Sequence, residues 1–135
     1  IYTLSLHDAL PIYLGHLAEL LERYLNLHID TSGTKWVARE LSSQPERARE
    51  FLIRWADRVM FGSDLVAFDH ADHRHHCSRY WVHQFLYERD GSVISPIEDS
   101  DAGGAVTLVG LDLPDEALSR LYYLNARAFF RLDDM

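Results

Sequence analysis

Apolar positions recur along the chain in more than one rhythm. Leu14, Leu17, Ala18, Leu21 and Tyr24 fall at the spacing of one helical face. Leu27-His28-Ile29-Asp30 then predicts a short strand, flanked by Asn26 and by the Thr31-Ser32-Gly33 turn cluster. Thr34 is placed to cap a brief helix through Trp36, Val37, Glu40 and Leu41. Ser43 with Glu46 three residues on spells a capping box, and Pro45 fits the first turn, where its missing N–H costs nothing. Ala48, Phe51, Leu52 and Trp55 follow at i, i+3, i+4 and i+7, so that helix buries one face. The run Arg58-Val59-Met60-Phe61-Gly62, ended by Gly62-Ser63-Asp64, suits a strand buried on both sides.

Beyond Asp64 the pattern weakens. Residues 65–74 read as loop, and a helix is expected from about Ser78 to Glu88, with Trp81, Val82, Phe85 and Leu86 on one side. Residues 90–110 hold Asp90-Gly91, Ser95-Pro96 and Gly103-Gly104 with little periodicity, which predicts an insertion or a lid-like loop. Pro114 opens a last helix with Asp115 and Glu116 in the first turn, where the macrodipole favours acidic side chains. Leu118, Leu121 and Tyr122 face inward, Asn125-Ala126-Arg127-Ala128-Phe129-Phe130 follows, and no internal repeat is visible.

Strands alternating with helices imply an α/β fold with a parallel sheet. Only two strands are convincing, whereas a complete (β/α)8 barrel has eight strands and typically about 250 residues. The expectation is therefore an incomplete barrel: two parallel strands with surrounding helices, forming the C-terminal portion of a larger TIM-barrel domain over residues 13–135.

Composition narrows the partners. A formal charge of −8 offers no basic stripe to displace counterions from a phosphate backbone, so nucleic acid is excluded. No apolar stretch approaches the roughly 18 residues of a membrane helix. Cys77 stands alone, so no disulfide framework exists and a reducing cytoplasm is the expected compartment. The first twelve residues, Ile1 to Ile12, resemble the in-frame translation of a short-read sequencing adapter. They are set apart here as a non-native segment, His7 and Asp8 included.

In parallel barrels, functional groups gather at the C-terminal ends of strands. Asp64 and Asp30-Thr31-Ser32 occupy such ends. A carboxylate there serves as a metal ligand and proton acceptor, yet an aspartate after Gly-Ser is as often a helix cap or turn former. The His70–His76 run, with His73-Arg74-His75 spelling His-x-His beside Asp69 and Asp72, supplies zinc-type donors. Its polar setting favours a hydrated loop near the mouth. Arg79 is placed to meet a substrate carboxylate or to sit as an ordinary surface arginine.

Larger stretches add a resemblance. Asn26 to Ser32, Lys35 to Leu41, Ala48 to Leu52, Asp57-Arg58-Val59-Met60-Phe61-Gly62-Ser63-Asp64, Gly110 to Glu116 and Tyr122 to Arg127 together resemble the C-terminal part of the amidohydrolase-related family. The family usually has Pro where Leu25 stands. The resemblance implies that Asp64 closes the last barrel strand as catalytic proton shuttle and metal ligand, with a divalent cation, Zn²⁺ in the first instance. It implies a small-molecule substrate with an amide, ester or lactone carbonyl, a possible homo-oligomer in the intact parent, and Asp30-Thr31-Ser32 as the end of the seventh strand. By their place near the strand mouths, Thr31, Ser32, His70 and Arg79 are the candidate substrate-side residues. The family's remaining ligands would lie upstream, so 1–135 alone is expected to be inactive. Metal-dependent decarboxylation of aromatic carboxylic acids on the same fold is the alternative activity. A non-catalytic histidine-rich metal-binding or interaction protein is the alternative from another class. The decisive expectation is geometric: Asp64 should face a pocket at the rim of a sheet whose strand runs parallel to Leu27–Asp30.

Overall fold

The computed structural model describes residues 2–6, 13–66 and 72–132. Tyr2–Ser5 (β1), Leu27–Asp30 (β2) and Val59–Met60 (β3) form a three-stranded sheet in chain order, every pairing parallel. Two helical passages connect them: Leu14–Arg23 (α1), then Thr34–Ser42 (α2) with Pro45–Arg54 (α3). β1 is a third parallel strand where two were expected. It lies within the first twelve residues; Leu4 packs against the core and Leu6 is fully buried.

The helices form for the reasons the periodicity gave. Leu14, Leu17 and Leu21 of α1 are buried, as are Ala48, Phe51 and Leu52 of α3. With Ile29, Val37, Leu41 and Val59 they make one continuous core. The capping box is corrected. Gln44, not Ser43, is the N-cap of α3 and makes no side-chain cap bond. The Ser43 hydroxyl instead donates to the Glu40 carbonyl at 2.7 Å, finishing α2. At the start of α2, left-handed Gly33 is the cap, and Thr34 is the first helical residue.

Two further expectations are overturned. The long helix α4 spans His73–Glu88, so His73, His75 and His76 lie in its opening turns instead of in a loop. The signal missed was Asp72, whose carboxylate accepts the His75 N–H at 2.8 Å and caps the helix. Residues 90–110 are an antiparallel hairpin, Ser92–Asp99 (β4) with Gly104–Val109 (β5), carrying an irregularity between Ile94 and Glu98. Among its inward positions are Ser95 and Asp99, and Pro96 interrupts the run, so the alternation does not read as apolar.

The hairpin docks on α2. Buried Asp99 accepts from Arg39 Nη1 at 2.7 Å and lies 3.6 Å from Lys35 Nζ. Asp101 accepts from Trp36 Nε1 at 2.8 Å, and Val109 N–H donates to Ser42 Oγ at 3.0 Å. Residues 110–113 then run along the end of α4, with Leu111 N–H on Leu86 O and Leu113 N–H on Tyr87 O. Arg49 of α3 bonds the Leu111 and Asp112 carbonyls.

The chain closes with Asp115–Ser119 (α5), a π-helical turn Arg120–Leu124 and Asn125–Phe129 (α6). In the π turn Asn125 N–H reaches back to Arg120 O, and Leu121 O accepts Phe61 N–H at 2.8 Å, one residue past β3. Buried Asn125 donates from Nδ2 to Ala56 O at 2.6 Å and Val59 O at 2.7 Å. The Asn-Ala element thus pins the entry to β3, and the π turn pins its exit.

Candidate functional site at the strand mouths

The C-terminal ends of β2 and β3 lie side by side, because Asp30 pairs with Met60 in a parallel register. Two threonines lock the loops that follow. Thr31, fully buried, accepts the Gly62 N–H and donates to the Gly62 carbonyl, both at 3.1 Å. Thr34 Oγ1 donates to Ser63 O at 2.9 Å. Asp30 Oδ1 accepts the Ser32 N–H at 2.9 Å, turning the chain into α2. A Cβ at position 62 would run into Ser32 Oγ and stand 3.2 Å from the Ser32 nitrogen, so any larger residue there forces Ser32 to turn away.

Asp64 follows directly and adopts φ +51°, a left-handed conformation that aspartate tolerates better than most residues. It lines a pocket of about 220 Å³ with Gly33, Thr34, Trp36, His75 and Arg79, and Ile97 of the hairpin contributes to the wall. Strand direction and pocket agree with expectation. Asp64 is nevertheless exposed, which goes against a carboxylate enclosed in a pocket and counts against its expected role.

Arg79 is half-buried. Its Nη1 donates to His75 O at 3.2 Å and Ser78 Oγ at 3.0 Å, and among the described residues it has no carboxylate partner. Burial pulls the guanidinium pKa down from its usual value. Lys35 is already engaged by Asp99 and Asp101.

The remaining candidates separate by placement. Thr31 and Ser32 are not in the pocket wall, and their contacts support the strand ends from beneath. His70, with Asp69, lies outside the described residues. His75 reaches the pocket, while His73 lies 3.4 Å by Nδ1 from Cys77 Sγ, one turn along the exposed side of α4. Among the described residues no three His, Cys, Asp or Glu side chains form a group able to hold a metal. The residues present therefore do not fit a complete metal centre; Asp64 is at most one ligand of it.

Sequence reasoning missed His83. This α4 residue is 1% exposed, and its Nε2 lies 3.0 Å from Thr34 Oγ1. Desolvation lowers its pKa to about 4, so it is neutral at physiological pH. No local motif announces a contact between residues 49 positions apart.

No curated protein and no solved structure matches the chain. A family model described as Amidohydrolase matches residues 7–132, nearly the whole sequence and the whole span from α1 through the π turn. Members of that family share a metal-dependent hydrolase-type fold and generally use divalent metals. With parallel strands delivering Gly62-Ser63-Asp64 to a sheet mouth, and the family match running through those residues, the chain belongs to the amidohydrolase family.

Proposed function

We propose that the chain is the C-terminal part of a (β/α)8 metal-dependent hydrolase acting on an amide, ester or lactone carbonyl, with Asp64 as its site carboxylate. The observation that carries this is the position of Asp64. It stands four residues past the end of β3, the strand in parallel register with β2, in the wall of a pocket that also holds Arg79. In such an enzyme a bound divalent metal, zinc by our reading, lowers the pKa of water towards neutrality. Asp64 would contribute one ligand oxygen and accept a proton at its carboxylate. Arg79 would orient an anionic group of the substrate. The other ligands are not among the described residues, so 1–135 is expected to be inactive by itself. Decarboxylation of an aromatic acid would use the same Arg79 contact, and fold does not choose between the two.

One observation favours a second reading. The His73–Cys77 pair puts two thiophilic-metal donors within 3.4 Å on α4, away from Asp64. Equilibrium dialysis against zinc separates the readings. A chain that keeps only Asp64 of the metal shell should take up little zinc, whereas the second reading expects uptake that His73→Ala/His75→Ala abolishes and Asp64→Ala leaves intact. Loss confined to the histidine variant would sink the enzyme assignment.

A further inference from the structure

We infer that His83 is a positioning residue for Asp64, holding its loop from below as the Nε2–H tautomer. This rests on reading Asp64 as the site carboxylate. Three groups make a line: His83 Nε2, Thr34 Oγ1 at 3.0 Å, and Ser63 O a further 2.9 Å on. A backbone carbonyl only accepts, and a hydroxyl carries one proton. The Thr34 proton is therefore spent on Ser63 O, and the oxygen turns a lone pair to the ring. The nitrogen facing it must donate, which fixes the proton on Nε2.

The opposite tautomer fails on the same count. With the proton on Nδ1, Nε2 and Ser63 O would compete for one hydroxyl proton, and the Nδ1–H would sit in a place with no acceptor. As assigned, the bare nitrogen is Nδ1, which is buried and has no hydrogen-bond partner. The ring faces there are taken by Phe61, edge-on at 5.0 Å, and Tyr87, stacked at 5.7 Å. Neither offers a charge to support an imidazolium, in keeping with a depressed pKa. The residue whose carbonyl ends the line is the one that precedes Asp64, and Asp64 holds an uncommon φ of +51°. A directed hydrogen bond one residue away limits how that backbone turns, so the line from α4 sets where the carboxylate stands.

The test uses the full chain. Two-bond ¹H–¹⁵N correlation of the histidine rings at pH 7 should show His83 protonated on Nε2 and bare on Nδ1. His83→Gln keeps an N–H donor within reach of Thr34 and should leave the Ser63 and Asp64 amide signals near their original positions. His83→Leu should move them. Should His83→Leu not fold, Thr34→Val removes the central hydroxyl and should shift both those amides and the His83 ring signals. A ring protonated on Nδ1, or Ser63 and Asp64 signals unmoved in whichever of those two variants folds, overturns the proposal. Zinc uptake that is lost only in His73→Ala/His75→Ala, with these signals behaving as expected, would remove the catalytic reading and leave the hydrogen-bonded line in place.

Discussion

Gly62 faces the segment after β2 at close range, and a side chain there would press on Ser32. A Cβ built there would strike Ser32 Oγ and stand 3.1 Å from Asp30 Oδ1, whereas at Gly15 nothing lies within 4 Å. Gly62→Ala should destabilise by about 1–3 kcal/mol, the usual range for overpacking, and Gly15→Ala should be neutral or slightly stabilising. Urea melts of both variants check this, and equal midpoints would contradict it. His83 makes a second prediction at this scale. Unfolded, its imidazole titrates near 6.5; folded, it stays neutral down to about 4. Between those values the unfolded chain binds the extra proton, so stability falls as pH drops from about 6.5 to about 4. Two and a half units correspond to roughly 3 kcal/mol as an order of magnitude. His28 is shifted in the same direction by desolvation and then by Arg58, and adds to the slope. His83→Gln should flatten the dependence in that window, and an undiminished slope would show that other groups cause it.

Among elements, legibility followed the chemistry of the buried face. α1 and α3 bury leucine, alanine and phenylalanine at helical spacing, and their existence could be read directly. The hairpin was hidden because two of its inward positions are the polar Ser95 and Asp99, and the partner of Asp99, Arg39, lies 60 residues away. The start of α4 was hidden because His73 to Cys77 form no apolar stripe, leaving Asp72 as the sole local cue. For the site, Asp64 could be found from the strand it follows. The roles of Thr31, Thr34 and His83 depend on contacts 31, 29 and 49 residues apart, which no spacing rule encodes. The Asp99 clamp carries its own prediction. Asp99→Ala removes the acceptor for Arg39 Nη1 and leaves Lys35 with Asp101. It should cost about 2–3 kcal/mol, below the 3–5 of a fully buried pair because Arg39 is 24% exposed. The β4–β5 amides should then exchange faster than those of α1. Unchanged hairpin protection would mean that the core contacts of Ile97 and Leu108 hold it without the clamp.

For the whole molecule the governing fact is a short parallel sheet with β1 at one edge. Parallel sheets are stable when both faces are covered and the edges are paired or closed, and a barrel closes them by completing its circle of eight strands. The three parallel strands among the described residues are too few for that circle. β3 is partly protected, since Phe61 N–H is taken by Leu121 O and Asn125 holds the Val59 carbonyl. Beyond β1 no described strand lies, so its outer backbone groups are the available template for a second chain. The chain as it stands should therefore associate with increasing concentration, visible as rising mass in light scattering. Thr3 is exposed at the middle of β1. Thr3→Lys puts a charge on that edge, the device natural sheets use against edge pairing, and should lower the associated fraction without altering far-ultraviolet circular dichroism. An alternative seat of association is the exposed apolar surface at Tyr123, Leu124, Phe130 and Leu132. Leu132→Ser should then matter and Thr3→Lys should not. If mass is independent of concentration in the unaltered chain, neither surface is adhesive and the open edge is satisfied by water alone.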